Sequence, residues 1–158
     1  MIMSKQCLDI EQMKHLEELG VDTSKASMHY WIITNGEYSQ EVGGYVFSEE
    51  PSYVSLKLYP YEFMSDAAIR QVEDIPTFTL QDILVLLPKE MTPMPADKIK
   101  FRLCIFDGAI FYCFKDGIDD ILVQFRIDEN GLIDAVYDML CWLIENGYIE
   151  TNKQEHGA

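Results

Sequence analysis

The strongest constraint in this chain is a pair of aspartate–glycine steps, Asp107-Gly108 and Asp116-Gly117, that cut residues 100–127 into three β-like runs. Asp-Gly favours a two-residue hairpin turn, because such a turn needs positive φ at both central positions. If Asp107-Gly108 makes that turn, Phe106 faces Ala109, Ile105 faces Ile110 and Leu103 faces Tyr112. Phe101, Leu103, Ile105, Ile110, Tyr112 and Phe114 then share one face, and Ile121 and Val123 of the third run join them. The predicted strands lie near 100–106, 109–115 and 119–127. An apolar sheet face of this size has to be covered by another layer.

The other face of the same meander carries Cys104, Phe106, Phe111 and Cys113, with Arg102 and Lys115 at its margin. A solvated face does not ordinarily hold two phenylalanines and two cysteines. Either another part of the chain covers it or a partner does, and an internal cover is the favoured reading, because sheets in mixed folds are commonly packed on both sides.

Three helices are expected to supply the covering layer, at about 10–19, 80–87 and 131–146. The first has Asp9 as N-cap, Gln12 three residues later as in a capping box, and Leu8 and Met13 placed for a hydrophobic staple. It ends at Gly20, with Val21 as the apolar residue beyond the cap. Phe78-Thr79-Leu80-Gln81-Asp82-Ile83 repeats that opening for the second helix, which stops before Pro88. In the third, Leu132, Val136, Met139, Leu140 and Leu143 cluster on one side of a helical wheel, with Asp134, Asp138 and Glu145 opposite. Cys141 falls at the edge of the acidic stripe, Trp142 flanks the apolar side, and Gly147 is the expected stop.

Between the first two helices the chain is β-rich, with strands expected over about 28–59. "MHYWIIT" is aromatic and β-branched and runs into Asn35-Gly36, a favoured hairpin pair. "GYVFS" follows the Gly43-Gly44 break, and "YVSLKLY" alternates, with Val54, Leu56 and Leu58 on one face. "SDAAIRQV" reads as a short helix capped by Ser65. "PKEMTPMPADK", with three prolines, reads as an irregular connector or hinge. The expected fold is α+β, with antiparallel sheets from the two strand groups packed with three main helices. It is either one domain over 1–158 or two α-then-β halves meeting near 76–99.

Charge narrows the partners. The 158 residues include 27 acids against 12 basic groups, a net charge of −15, and only Arg70, Arg102 and Arg126 are arginines. Such a field repels phosphate backbones and anionic membrane surfaces, so direct nucleic-acid binding is not expected. The longest unbroken aliphatic run, "ILVLL" at 83–87, is far too short to span a bilayer, so no membrane association is expected. The opening "MIMSKQCLDIEQ" has no apolar stretch of signal-peptide length, which gives a cytoplasmic expectation.

No motif for catalysis, metal or cofactor stands out. Cys7, Cys104, Cys113 and Cys141 are far apart with no CxxC pair, and His15, His29 and His156 are equally scattered, so reduced thiols and no zinc site are expected. Cys141 sits deep in its helix among carboxylates, which disfavour a thiolate, and so is not read as a nucleophile. "RIDENG" and "YCFKDG" would put Arg126 or Tyr112 at the first position of a calcium loop, where an acid belongs. Gly43-Gly44 lacks the helix start a phosphate loop needs. Pairs such as Glu17-Glu18 and Asp119-Asp120 arise by chance among so many acids. Tyr30, Trp31, Tyr45, Tyr53, Tyr59, Tyr61 and Phe63 crowd the first half, either as ordinary strand composition or as a patch for a protein partner.

The segments "TLQDILVLLPKE" (Thr79–Glu90), "DAVYDMLCWLIENGYI" (Asp134–Ile149) and "LDIEQMKHLEELGVDTSKASM" (Leu8–Met28) resemble those of small uncharacterised proteins of bacterial prophages and other mobile elements. The stretch from Tyr30 to Ile75 is the least matched. The resemblance implies a mobile-element accessory protein and brings no activity, cofactor or site residues with it. The leading expectation is a non-enzymatic protein that binds a protein partner, with self-association also open. Two alternatives are an acidic mimic of DNA that occupies a host DNA-binding protein, and a small enzyme with a motif-free site.

Overall fold

The computed structural model describes residues 5–50, 53–58, 68–93, 99–114, 120–129 and 131–151. Helices α1 (Ile10–Glu18) and α2 (Leu80–Leu86) begin with the same reciprocal exchange. The Asp9 carboxylate accepts the Gln12 amide N–H at 2.8 Å, and the Gln12 side chain accepts the Asp9 N–H at 3.0 Å. Thr79 and Asp82 do the same for α2. Each such cap satisfies donors that the helix itself leaves orphaned.

Helix α3 (Leu132–Glu145) starts at Gly131 without a side-chain cap. Its end copies that of α1. Val21 N–H reaches the Leu16 carbonyl at 3.0 Å and Gly20 N–H the Glu17 carbonyl at 2.9 Å; Tyr148 and Gly147 do the same to Leu143 and Ile144. Both are Schellman closures, which need a positive φ that glycine adopts without strain.

Two antiparallel sheets account for the strands, so the α+β fold and its three helices stand as expected. The first sheet contains β1 (Met28–Ser39), β2 (Gly44–Phe47), β3 (Tyr53–Leu58) and β4 (Ile69–Thr77). Met28–Ile33 of β1 is paired on both sides, by β3 and β4. From Gly36 to Ser39 β1 pairs with β2, with the Gly36 N–H still donating to the Ala68 carbonyl at 2.7 Å, so Gly36–Phe47 forms a two-stranded arm. The second sheet has the order β5 (Glu90–Met91), β6 (Phe101–Phe106), β7 (Ala109–Phe114), β8 (Ile121–Arg126). Its turn at Asp107-Gly108 has φ of 51° and 70°, and the predicted register holds from Phe101↔Phe114 to Phe106↔Ala109.

Four local expectations are corrected. Asn35-Gly36 is not a turn: β1 runs through it because β4 and β2 pair with its two halves, and the chain reverses at 40–43 instead. Gly36 is required there by a close approach, since a Cβ would lie 2.9 Å from the Phe47 ring. Ile69–Val72 is strand rather than helix, held by pairing to β1, while the Ser65 cap lies outside the described residues. Val54 and Leu56, placed on one face by their alternation, are exposed there. The proline-rich connector contributes β5 to the edge of β6. Finally, a bulge at Tyr112/Cys113 sets Ile121 opposite Cys113, so Ile121 leaves the helix-covered face while Val123 stays on it opposite Tyr112. The Asp116-Gly117 step lies outside the described residues.

The main core lies between the helices and one face of the second sheet. Leu8, Met13, Leu16, Phe78, Ile83, Ile110, Tyr112, Val136, Met139, Leu140 and Leu143 belong to one buried cluster, which draws on both halves of the chain. Tyr112 hydrogen-bonds the Pro88 carbonyl at 2.7 Å, satisfying its buried hydroxyl. The first sheet is attached through Leu8, whose carbonyl accepts from Thr77 Oγ1 at 2.6 Å and Tyr30 Oη at 3.0 Å. Lys5 locks the same segment to α3 by reaching Asp134 at 2.9 Å. Among the described residues no helix is long and apolar enough to cross a membrane.

Candidate functional site

The arm of the first sheet carries the most exposed apolar side chains in a contiguous setting. Tyr38 and Tyr45 are directly paired and touch edge to face, with ring centroids 5.7 Å apart. They are 63% and 42% exposed, and Val42 in the loop between them is exposed too. By strand alternation the same face of β1 runs on through Gly36, beside Phe47, to the buried Thr34, which separates the exposed tyrosine pair from Ile32 and its partner Val54, 51% exposed. The opposite face of the arm places Val46, also exposed, beside Glu37. Single exposed apolar residues need no explanation, whereas the cluster of Tyr38, Val42 and Tyr45 is a candidate surface.

The aromatic crowding noted in the sequence is therefore divided by the fold. Trp31 is buried, Tyr30 is anchored to Leu8, and Tyr45 is exposed on the arm. Tyr59, Tyr61 and Phe63 lie outside the described residues, as does the side chain of Tyr53. Tyr38 and Val42 were missed by sequence reasoning. A turn placed at Asn35-Gly36 takes them out of the strand pair, and only the true reversal at 40–43 puts Tyr38 opposite Tyr45.

On the uncovered side of the second sheet, Ala109, Phe111 and Cys113 are buried within the single chain, with Cys104 half-buried against them. These four side chains form a small cluster of their own, while Phe106 at the turn is 61% exposed. The Cys104 and Cys113 sulfurs are 3.3 Å apart, and all four cysteines are thiols.

Cys141 is corrected: it is buried, only 8% exposed, rather than on the acidic margin. Helix α3 buries eight positions from Ile133 to Ile144, because it packs against α2 as well as the sheet, a wider arc than one wheel face predicts. Burial above all, with Glu145 and Asp138 adding to it, pushes the thiol up to about 11, against a smaller opposing effect of Tyr137. A protonated thiol is a poor nucleophile, consistent with the structural reading of this residue. Trp142 packs on the flank as expected, stacked on Tyr148 at 5.4 Å.

Two polar groupings joined across long sequence separations had no sequence signal. His29 Nδ1 lies 2.6 Å from Asp74 Oδ1, 45 residues away. Ser27 donates to Asp82 at 2.6 Å through its hydroxyl and at 2.9 Å through its amide. Burial acts to raise the Asp82 carboxyl, but the donors from Ser27 and Thr79 outweigh it and hold it below the usual range. This pair borders a groove of about 470 Å³ floored by Phe78, Val85 and Leu86. Asp82 is thus committed to capping α2 and holding Ser27, while Asp22, Lys25 and Gln81 also line the groove. Among the described residues no group of three or more His, Cys, Asp or Glu side chains is arranged to hold a metal ion.

No family model, curated protein or solved structure matches the chain.

Proposed function

We propose that this chain is a non-enzymatic accessory protein of a phage or mobile element that acts by binding another protein, with the exposed face of the β1–β2 arm as the contact. The observation that carries this reading is the exposed, directly paired Tyr38 and Tyr45 beside the exposed Val42. Tyrosine gives large contact area at low entropic cost and is enriched in the energetic centres of interfaces. The arm holds these residues on a rigid strand pair rather than on a loop, so little order has to be gained on binding. The resemblance to mobile-element proteins in the helices supplies the biological setting.

The test is affinity capture from host lysate with three immobilised proteins: wild type, a Tyr38→Ser/Tyr45→Ser variant and a Val85→Ser variant. Val85 is exposed on α2, away from the arm, and serves as the control. The expected result is a protein retained by wild type and Val85→Ser and lost from the arm variant, with all three melting alike. Equal retention by all three, or retention of nothing, would overturn the assignment.

A further inference from the structure

The face of the second sheet turned away from the helices gathers two sulfurs and two of the three arginines in a chain of net charge −15. Arg102 sits directly opposite Cys113 in the β6–β7 register, and Arg126 opposite Ala109 in the β7–β8 register, so both project from the face that holds Cys104, Phe111 and Cys113. Cys104 and Cys113 are diagonal neighbours across that ladder, with Sγ atoms 3.3 Å apart. Closing that gap to a disulfide of about 2.05 Å needs a sulfur displacement of roughly 1.2 Å. Cys104 is half-buried whereas Cys7, Cys113 and Cys141 are buried. Cys7 Sγ is in contact with the Tyr30 hydroxyl at 3.3 Å, and Cys141 lies near Asp138 and Glu145. Cys104 is thus the more accessible sulfur of the pair, with Arg102 two residues before it on the same strand and 4.0 Å from Glu90.

We propose that Cys104 and Cys113 are a reversible dithiol–disulfide couple whose substrate class is small-molecule disulfides. The Cys104 thiolate attacks one sulfur of the disulfide, forming a mixed disulfide and expelling one thiolate. Cys113, having lost its proton to that thiolate, then attacks Cys104 Sγ, forming the intramolecular bond and expelling the second thiolate, which takes up the proton left by Cys104. Two protein thiols are oxidised and one external disulfide is reduced to two thiols. The couple is independent of the arm and of any protein partner.

The probe is oxidised glutathione added to the native protein, followed by alkylation of the remaining thiols and mass analysis. The segment from Leu103 to Lys115 is one tryptic peptide containing both cysteines. In wild type it should lose two hydrogens, escape alkylation and recover both thiols after dithiothreitol. Cys113→Ser should stall as a single glutathione adduct on Cys104, and Cys104→Ser should give neither adduct nor bridge, both variants keeping the wild-type circular dichroism. Wild type with both thiols alkylated after oxidation, a Cys113→Ser protein without adduct, or a bridge to Cys7 or Cys141 would each overturn the proposal.

Discussion

Thr34 is the residue least at ease in this fold. It is 1% exposed in β1, and among the described residues its hydroxyl has no hydrogen-bond partner. A buried hydroxyl in that position costs about 1–3 kcal/mol, and valine has nearly the same shape without it. Thr34→Val should therefore stabilise the protein by roughly 1 kcal/mol or more in urea unfolding, through a higher midpoint at unchanged slope. A lower midpoint would mean that the hydroxyl has a partner after all. Nothing in the sequence around Thr34 marks it, because burial here comes from how the sheet is assembled. Cys141 shows the same limit. The wheel placed it correctly by angle, yet how wide an arc of α3 is buried depends on the packing of α2 and the second sheet, which periodicity does not report.

At the scale of elements, what the sequence makes legible is what local chemistry decides. The capping boxes at Asp9 and Thr79, the stops at Gly20 and Gly147, and the Asp107-Gly108 turn each depend on contacts within a few residues. Asn35-Gly36 looks as strong as Asp107-Gly108 but lies inside β1, where pairing to β2 and β4 outweighs the turn preference. Helix α3 carries a conflict of its own. Burial, then the charges of Asp134 and Asp128, push the Asp138 carboxyl above its usual range. A raised carboxyl means that the folded state holds the proton to higher pH than the unfolded state does. Stability therefore falls as pH rises through that window, and the ionised group is a net cost at neutral pH. Asp138→Asn should raise the melting temperature at pH 7, and the gain should vanish below the carboxylate range, where Asp138 is protonated. A variant less stable than wild type at pH 7 would show that Asp138 makes a favourable contact.

For the whole molecule, the division of labour is plain. The helices and the second sheet share the main buried core, tied to the first sheet through Leu8, Tyr30 and Thr77. The first sheet extends an arm on which Tyr38, Val42 and Tyr45 are exposed, and this is the surface given the binding role. Its aromatic content was visible in the sequence, but which of those rings are buried and which are open depends on where the hairpin reverses. The acidic charge does not select the partner by itself. It does favour one that presents basic groups around an apolar centre, since Glu37, Glu41, Glu49 and Glu50 on and beside the arm are all exposed.

The most direct measurement is site-specific photo-crosslinking in the host cell, with the reactive amino acid at position 45 on the arm or at position 11 on exposed α1. Binding through the arm predicts a discrete adduct with a different protein from position 45 and none from position 11. The same products from both positions, only self-adducts, or no adduct from position 45 would contradict it.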